Sequence, residues 1–195
     1  MSVEPRPAGA PAADGRTPSG AGPGAGATPA PAFPSRGLLL GIVVGIVILD
    51  QLTKAMVQAW LPLYSSVTII PGLLDFSHVQ NTGVAFGMLN SVDLPFKRAL
   101  MTAIGLFALI AIAFYASQVP PGQTLARLGL AAIIGGAIGN LIDRITSGYV
   151  VDFVDVYWGT WHFWAFNVAD AGITVGACCL ILDMVFLNAH VSEAA

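Results

Sequence analysis

Between Asn140 and Asp170 the chain reads NLIDRITSGYVVDFVDVYWGTWHFWAFNVAD, which contains the aspartates Asp143, Asp152, Asp155 and Asp170. Acids at this density suit two kinds of chemistry. Two carboxyls held about 3 Å apart cannot both ionise, so they share one proton; the ionised member can then take a proton from water while the protonated member polarises a carbonyl. Alternatively, acids inside a membrane relay protons or ions. Relays place their acids at mid-span, in broken helices or internal repeats. Here the acids fall at segment ends and no repeat is evident, which favours chemistry at a surface.

Other polar residues gather in short patterns. Asp50 and Lys54 stand four apart and share one helical face. Such a pair at membrane depth is expensive unless partnered or wet, so it is either an internal brace or part of a site. Asn140, Asp143 and Arg144 follow i, i+3, i+4 spacing, and Asn167, Asp170 and Thr174 line a second helical face. Asn167 is a good N-cap, but capping accounts for one residue per helix end and not for a cluster. If YVVDFVDVYW is a strand, Asp152 and Asp155 point to opposite faces and only one of them can serve a common site. Aromatic residues around it suit a membrane–water boundary.

Other chemistries lack their signatures. His78, His162 and His190 are scattered without metal-ligand spacing, so no metal or other cofactor is expected. Cys178 and Cys179 are neighbours in an apolar run, point in different directions and are read as plain apolar-face residues. No serine lies in a nucleophile-elbow pattern.

The elements that must position these groups belong to a membrane protein. Of 195 residues, 55% are apolar and 10% charged, against about 25% charged in a soluble domain. A net charge of −3 without a basic run argues against nucleic acid as a partner. Residues 1–36, rich in Pro, Gly and Ala, are expected to be a disordered tail; the apolar run after them comes too late and is too long for a signal peptide. Apolar segments follow at Gly37–Trp60, Phe96–Ser117, Leu125–Arg144 and Phe166–Asn188, each long enough to cross a bilayer as a helix. Ala131, Gly135 and Gly139 offer a small-residue face for close helix packing. Pro71-Gly72 and Asn81-Thr82-Gly83 break β-prone pieces between the first two spans, which predicts a small surface sheet. Asp183, deep in the fourth segment, either snorkels out or meets a charge that the sequence does not identify.

Four spans put both β-containing loops on one side and both termini on the other. Lys54, Lys97, Arg98 and Arg144 against Arg36 and Arg127 would place the loop side in the cytoplasm by charge alone, although Lys54 and Arg144 have acids beside them.

DQLTK (Asp50–Lys54), VQNTGVAFGM (Val79–Met88), GNLIDRITSGYVVDF (Gly139–Phe153) and FNVADAGITVG (Phe166–Gly176) together resemble the ordered motifs of the lipoprotein signal peptidases, or signal peptidase II. The resemblance spans Gly37 to Asn188. It implies an all-α membrane fold of four transmembrane helices with a small extracytoplasmic β-rich cradle, the peptidase domain covering residues 37–190. It further implies a bacterial inner-membrane aspartyl endopeptidase, with termini in the cytoplasm and the site on the outer face, against the charge count. Its substrates would be diacylglyceryl prolipoproteins, cut just before the lipidated cysteine, with Asp152 and Asp170 as the catalytic pair. Asn140, Asp143 and Arg144 would support them, Asn81 and Asn167 would hold substrate backbone, and Asp50 and Lys54 would brace the site. A monomer is expected, since substrate must enter sideways from lipid. The alternatives left by the residues themselves are a non-enzymatic four-span carrier of protons or lipids and a structural subunit of a larger complex.

Overall fold

A computed structural model describes residues 33–83 and 96–187. Most of the expected disordered tail, the second half of the Val79–Met88 motif, His190 and the end of the fourth span lie outside the described residues. Among the described residues, four helices are long and apolar enough to cross a membrane. They are α1 (Arg36–Trp60), α2 (Lys97–Gln118), α3 (Thr124–Thr146) and α4 (Val168–Leu182), the last continuing into a π-helical turn at Asp183–Leu187. The strands β1 (Ser66–Ile70), β2 (Leu74–Asn81), β3 (Val150–Trp158) and β4 (Trp161–His162) form one antiparallel sheet in chain order. Both β-containing connections thus meet in a single sheet beside the ends of α1, α3 and α4.

The helix bundle is organised around α3, which packs against each of the other three helices while α2 and α4 scarcely touch one another. Side chains such as Phe107, Phe114 and Ile48 point away from the bundle, a stable arrangement where lipid rather than water surrounds the helices. What lets α3 sit at the centre is its glycines. On one face, a Cβ at Gly135 would lie 3.1 Å from the Val43 carbonyl of α1, and one at Gly139 would lie 2.6 Å from the Asp50 carboxylate. This is the Ala131/Gly135/Gly139 face read from the sequence. A second face was not anticipated: a Cβ at Gly129 would lie 2.6 Å from the Gly176 carbonyl and one at Gly136 would run into the Ala169 carbonyl, so these glycines let α4 come into close contact.

Each end of α3 is closed by a neighbour. Gln123 supplies no side-chain cap at its start. Asp183 does so from α4, accepting the Ala126 N–H at 3.3 Å while almost wholly buried. Asp183 therefore does not snorkel out, the first of the two alternatives left by the sequence, and a carboxylate aimed at a helix N-terminus is favourably placed where it is. At the other end Gly148, at φ +83°, and Ser147 both donate to the Asp143 carbonyl, and Arg98 of α2 donates to the Ile145 and Thr146 carbonyls. These contacts satisfy the last carbonyls of the helix and turn the chain into β3.

β2 pairs with β3 so that Phe76 faces Val154 but Val79 faces Asp152, which places one extra residue in β2. Such a bulge reverses which side chains share a face. Ser77 and His78 occupy it, and the His78 ring donates from Nδ1 to the Leu61 carbonyl at 2.8 Å. Beyond the bulge Asn81 is the diagonal neighbour of Asp152 on the same face.

Replacing Gly136 by Val should overpack the α3–α4 seam and lower stability by on the order of 1–3 kcal/mol. Gly45→Ala, where an added Cβ meets nothing within 4 Å, should change it by less than about 0.5 kcal/mol. Thermal unfolding in detergent checks both.

Candidate active site

Asp152 is delivered by β3. The strand's first four residues are all buried because this stretch is covered by β2 on one edge and by Phe166 on the other, whose backbone pairs with Phe153 and Val154. Asp155, on the opposite face, pairs with His162 at 3.0 Å near the sheet's exposed end. Only one of the two strand acids therefore faces the bundle.

Asp170 is delivered by the first turn of α4. Asn167 caps that helix, accepting the Asp170 N–H at 2.9 Å, while the Asp170 carboxylate accepts the Asn167 N–H at 3.3 Å. The helix therefore starts two residues later than the apolar pattern suggests, because Phe166 belongs to the sheet edge. Asp50 of α1 adds a second cap from outside, accepting the Ala169 N–H at 2.9 Å.

Three asparagine amides connect these acids. Asn81 donates to Asp152 Oδ2 at 3.0 Å and Asn167 donates to Asp152 Oδ1 at 2.7 Å. Asn140 donates to Asp170 Oδ1 at 2.7 Å and accepts from Asn167 at 3.3 Å. The two carboxyls are thus joined through Asn167 and Asn140, and both line one cleft of about 730 Å³. That cleft lies over α3 between α2 and α4. Apart from Asn81, Asn140, Arg144, Asp152, Asp170 and Thr174, its walls are mainly apolar.

Beneath the amides lies an ionic layer. Lys54 donates to Asp50 Oδ2 at 2.8 Å and to Asn140 Oδ1 at 3.0 Å, and forms an ion pair with Asp143 Oδ2 at 2.8 Å. Gln51 ties the same layer together, reaching Asp143 at 2.9 Å, Asp50 at 3.2 Å and the Gly139 carbonyl at 3.2 Å. Asp50 is fully buried and Lys54 almost so, a tolerable state because the ammonium lies against two carboxylates and an amide oxygen. Arg144 donates to the Asn140 carbonyl at 3.2 Å and the Gly83 carbonyl at 3.3 Å.

All nine polar residues singled out from the sequence, namely Asp50, Lys54, Asn81, Asn140, Asp143, Arg144, Asp152, Asn167 and Asp170, therefore meet in one network. Asn81 and Asn167, expected to hold substrate backbone, turn their amides to Asp152. Gln51 was missed, although it stands inside DQLTK, where i, i+1 spacing hides a residue that reaches sideways to α3.

Sequence comparison bears on what this network belongs to. Residues 42–186 match the family model described as signal peptidase (SPase) II. The chain belongs to the signal peptidase II family. It is 44% identical to the lipoprotein signal peptidase of Geobacter metallireducens over 71% of this chain and 84% of that one. It is 41% identical to the Pseudomonas aeruginosa (strain UCBPP-PA14) lipoprotein signal peptidase over 80% and 92%. A solved bacterial membrane enzyme, determined by the in meso method at 2.3 Å, superposes with a TM-score of 0.70 at 29% identity, covering 78% of this chain and 90% of that one. A second, at 1.9 Å, gives 0.69 at 26% identity, with 79% and 96% covered. The chain is thus a multi-pass bacterial membrane protein of a peptidase family, and the non-enzymatic carrier finds no support.

Burial holds the Asp152 carboxyl well above the ordinary carboxylate range, at about 7. The negative charge of Asp170 adds to this, and the amides of Asn81 and Asn167 and the charge of Lys54 oppose it. The folded protein thus binds this proton more tightly than the unfolded chain. Stability from this group is full below its ordinary value of 3.8 and is lost as pH rises through about 7. Asp152→Asn, which cannot ionise, should melt close to wild type at about pH 3.5 and increasingly above it as pH rises to about 8.5. A melting series across that range checks the sign.

Proposed function

We propose that this protein is an aspartyl endopeptidase that removes the signal peptide from diacylglyceryl-modified prolipoproteins by cutting just before the lipidated cysteine. The observation that carries the proposal is the pair of carboxyls, Asp152 and Asp170, lining one cleft and bridged by two asparagine amides. Asp170 sits in the first turn of α4, where the helix dipole favours a negative charge. Asp152 is buried among apolar neighbours, where the neutral acid is favoured.

The chemistry follows from that asymmetry. Asp170 takes a proton from water as the water oxygen adds to the scissile carbonyl carbon, while Asp152 gives its proton to the carbonyl oxygen. Collapse of the resulting gem-diol returns one hydroxyl proton to Asp152, and Asp170 passes its proton to the departing nitrogen. The products are a carboxyl-terminated signal peptide and a free amino group on the lipidated cysteine. Arg144 has N–H groups beyond its two backbone contacts and stands in the cleft wall, so it can hold a substrate carbonyl. Asn81 and Asn167 orient Asp152 in this scheme.

The cleft suits a substrate that arrives from the bilayer. Gly105 and Ala108 of α2 and Ile173 and Val175 of α4 give it facing apolar walls, and the near-absence of α2–α4 packing leaves it a side entrance for acyl chains. The family resemblance supports an extracytoplasmic site with cytoplasmic termini, and lateral entry supports a monomer.

Purified protein should cleave a synthetic diacylglyceryl prolipoprotein, read by mass spectrometry. Asp152→Asn and Asp170→Asn should each lower kcat by between about a hundredfold and ten-thousandfold. Wild-type turnover in either variant would contradict the proposal. In the wild type the rate should fall as pH rises past about 7, where Asp152 loses its proton.

A further inference from the structure

The orientation of each asparagine amide in the network is fixed by a group that can only donate. Asn81 Oδ1 accepts the Gly83 N–H at 3.0 Å and Asn167 Oδ1 accepts the Asp170 N–H at 2.9 Å. Those two are held by backbone. Asn140 differs: its Oδ1 faces the Lys54 ammonium at 3.0 Å and the Asn167 NH₂ at 3.3 Å. An ammonium has three donors and no acceptor. A reversed Asn140 would set its NH₂ against both of these donors and its oxygen against Asp170, two repulsions at once in a buried place.

We propose that Lys54 is a positioning residue for the dyad. By accepting no hydrogen bond it fixes the Asn140 amide with Nδ2 toward Asp170, which keeps Asp170 a proton acceptor. The inference rests on the aspartyl assignment above and adds to it a cause for Asp170 serving as the proton acceptor. Both Asp170 oxygens accept, one from Asn140 and one from the Asn167 backbone. An Asp170 that met the oxygen of a reversed amide would have to carry a proton itself and could not take one from water. The charged groups around this amide are Lys54 and Asp50 of α1, Asp143 and Arg144 of α3, Asp152 of β3 and Asp170 of α4. Lys54 is the member of this set that donates to the Asn140 side-chain oxygen.

A through-space effect of the Lys54 charge would also favour an ionised Asp170, so the test must separate charge from orientation. Full-length wild type, Lys54→Met, Asn140→Ala and the double variant are compared with the same synthetic diacylglyceryl prolipoprotein, measuring kcat and KM against pH. Each single variant should lose roughly tenfold to a hundredfold in kcat, with little change in KM, and its acid limb should move to higher pH. If Lys54 acts through Asn140, the double variant should match Asn140→Ala alone, since there is no longer an amide to orient. Additive losses, or an unmoved acid limb in Lys54→Met, would overturn the proposal.

Lys54→Met leaves Asp50 and Asp143 uncompensated and could fail to fold. Asn140→Asp keeps an oxygen for Lys54 and replaces the donor to Asp170 by an acidic oxygen, so it should show at least the same loss of kcat and at least the same shift of the limb. Wild-type kcat and an unmoved limb in that variant would likewise sink the proposal. Failure of the underlying dyad looks different: Asp152→Asn or Asp170→Asn would then retain activity.

Discussion

The structure depends on donors that cannot be turned around. A backbone N–H and a lysine ammonium have no acceptor to offer, so each fixes the oxygen of the asparagine it meets, and the amide nitrogen must face the other way. Three such amides converge on two carboxyls. In water an amide flips at little cost. In a buried site a donor facing a donor leaves both unsatisfied, and that penalty gives the network a single arrangement.

Everything else in the fold serves to bring those donors to one level. Asp50 and Lys54 come from α1, Asn140 and Asp143 from α3, Asn167 and Asp170 from the start of α4, Asp152 and Asn81 from the sheet. Two glycine faces let α3 approach α1 and α4 far more closely than a helix of large side chains could, so short side chains such as Asn and Asp suffice to span the gaps. Asp50 illustrates the economy. One of its oxygens holds Lys54, which reaches Asn140 and Asp143 of α3, and the other caps α4 directly, so the buried pair fixes α1 to both helices. The Gly148 turn and the Arg98 contacts then set where β3 leaves α3, and with it the height of Asp152.

Much of this was legible in the sequence, for identifiable reasons. Spans are announced by long apolar runs, and their described ends fall within about two residues of expectation, the usual scatter at helix ends. Asn167 announced a cap because an Asn before an apolar helix has few other uses. The nine polar residues stood out because polar groups at span ends are scarce. What the sequence could not show is pairing across elements. Asn81 reaches Asp152 only because β2 carries one extra residue at Ser77–His78, and simple alternation would have offered Gln80 instead. Asp183 looked unpartnered because its partner is a backbone N–H of α3, which no residue type reveals. The second glycine face was easily missed, since Gly129 and Gly136 share a face but stand two turns apart rather than one and read as composition rather than pattern.

The central claim is that the two carboxyls hold one proton between them and that it resides on Asp152. Infrared difference spectroscopy of the carboxyl stretch, with isotope-labelled aspartate and the protein titrated below and above about pH 7, tests this directly. The account predicts a protonated-carboxyl band in the more acidic sample that disappears on raising the pH, is absent from Asp152→Asn and persists in Asp155→Asn. A band that survives in Asp152→Asn and vanishes only in Asp170→Asn would place the proton on the other acid and contradict the account.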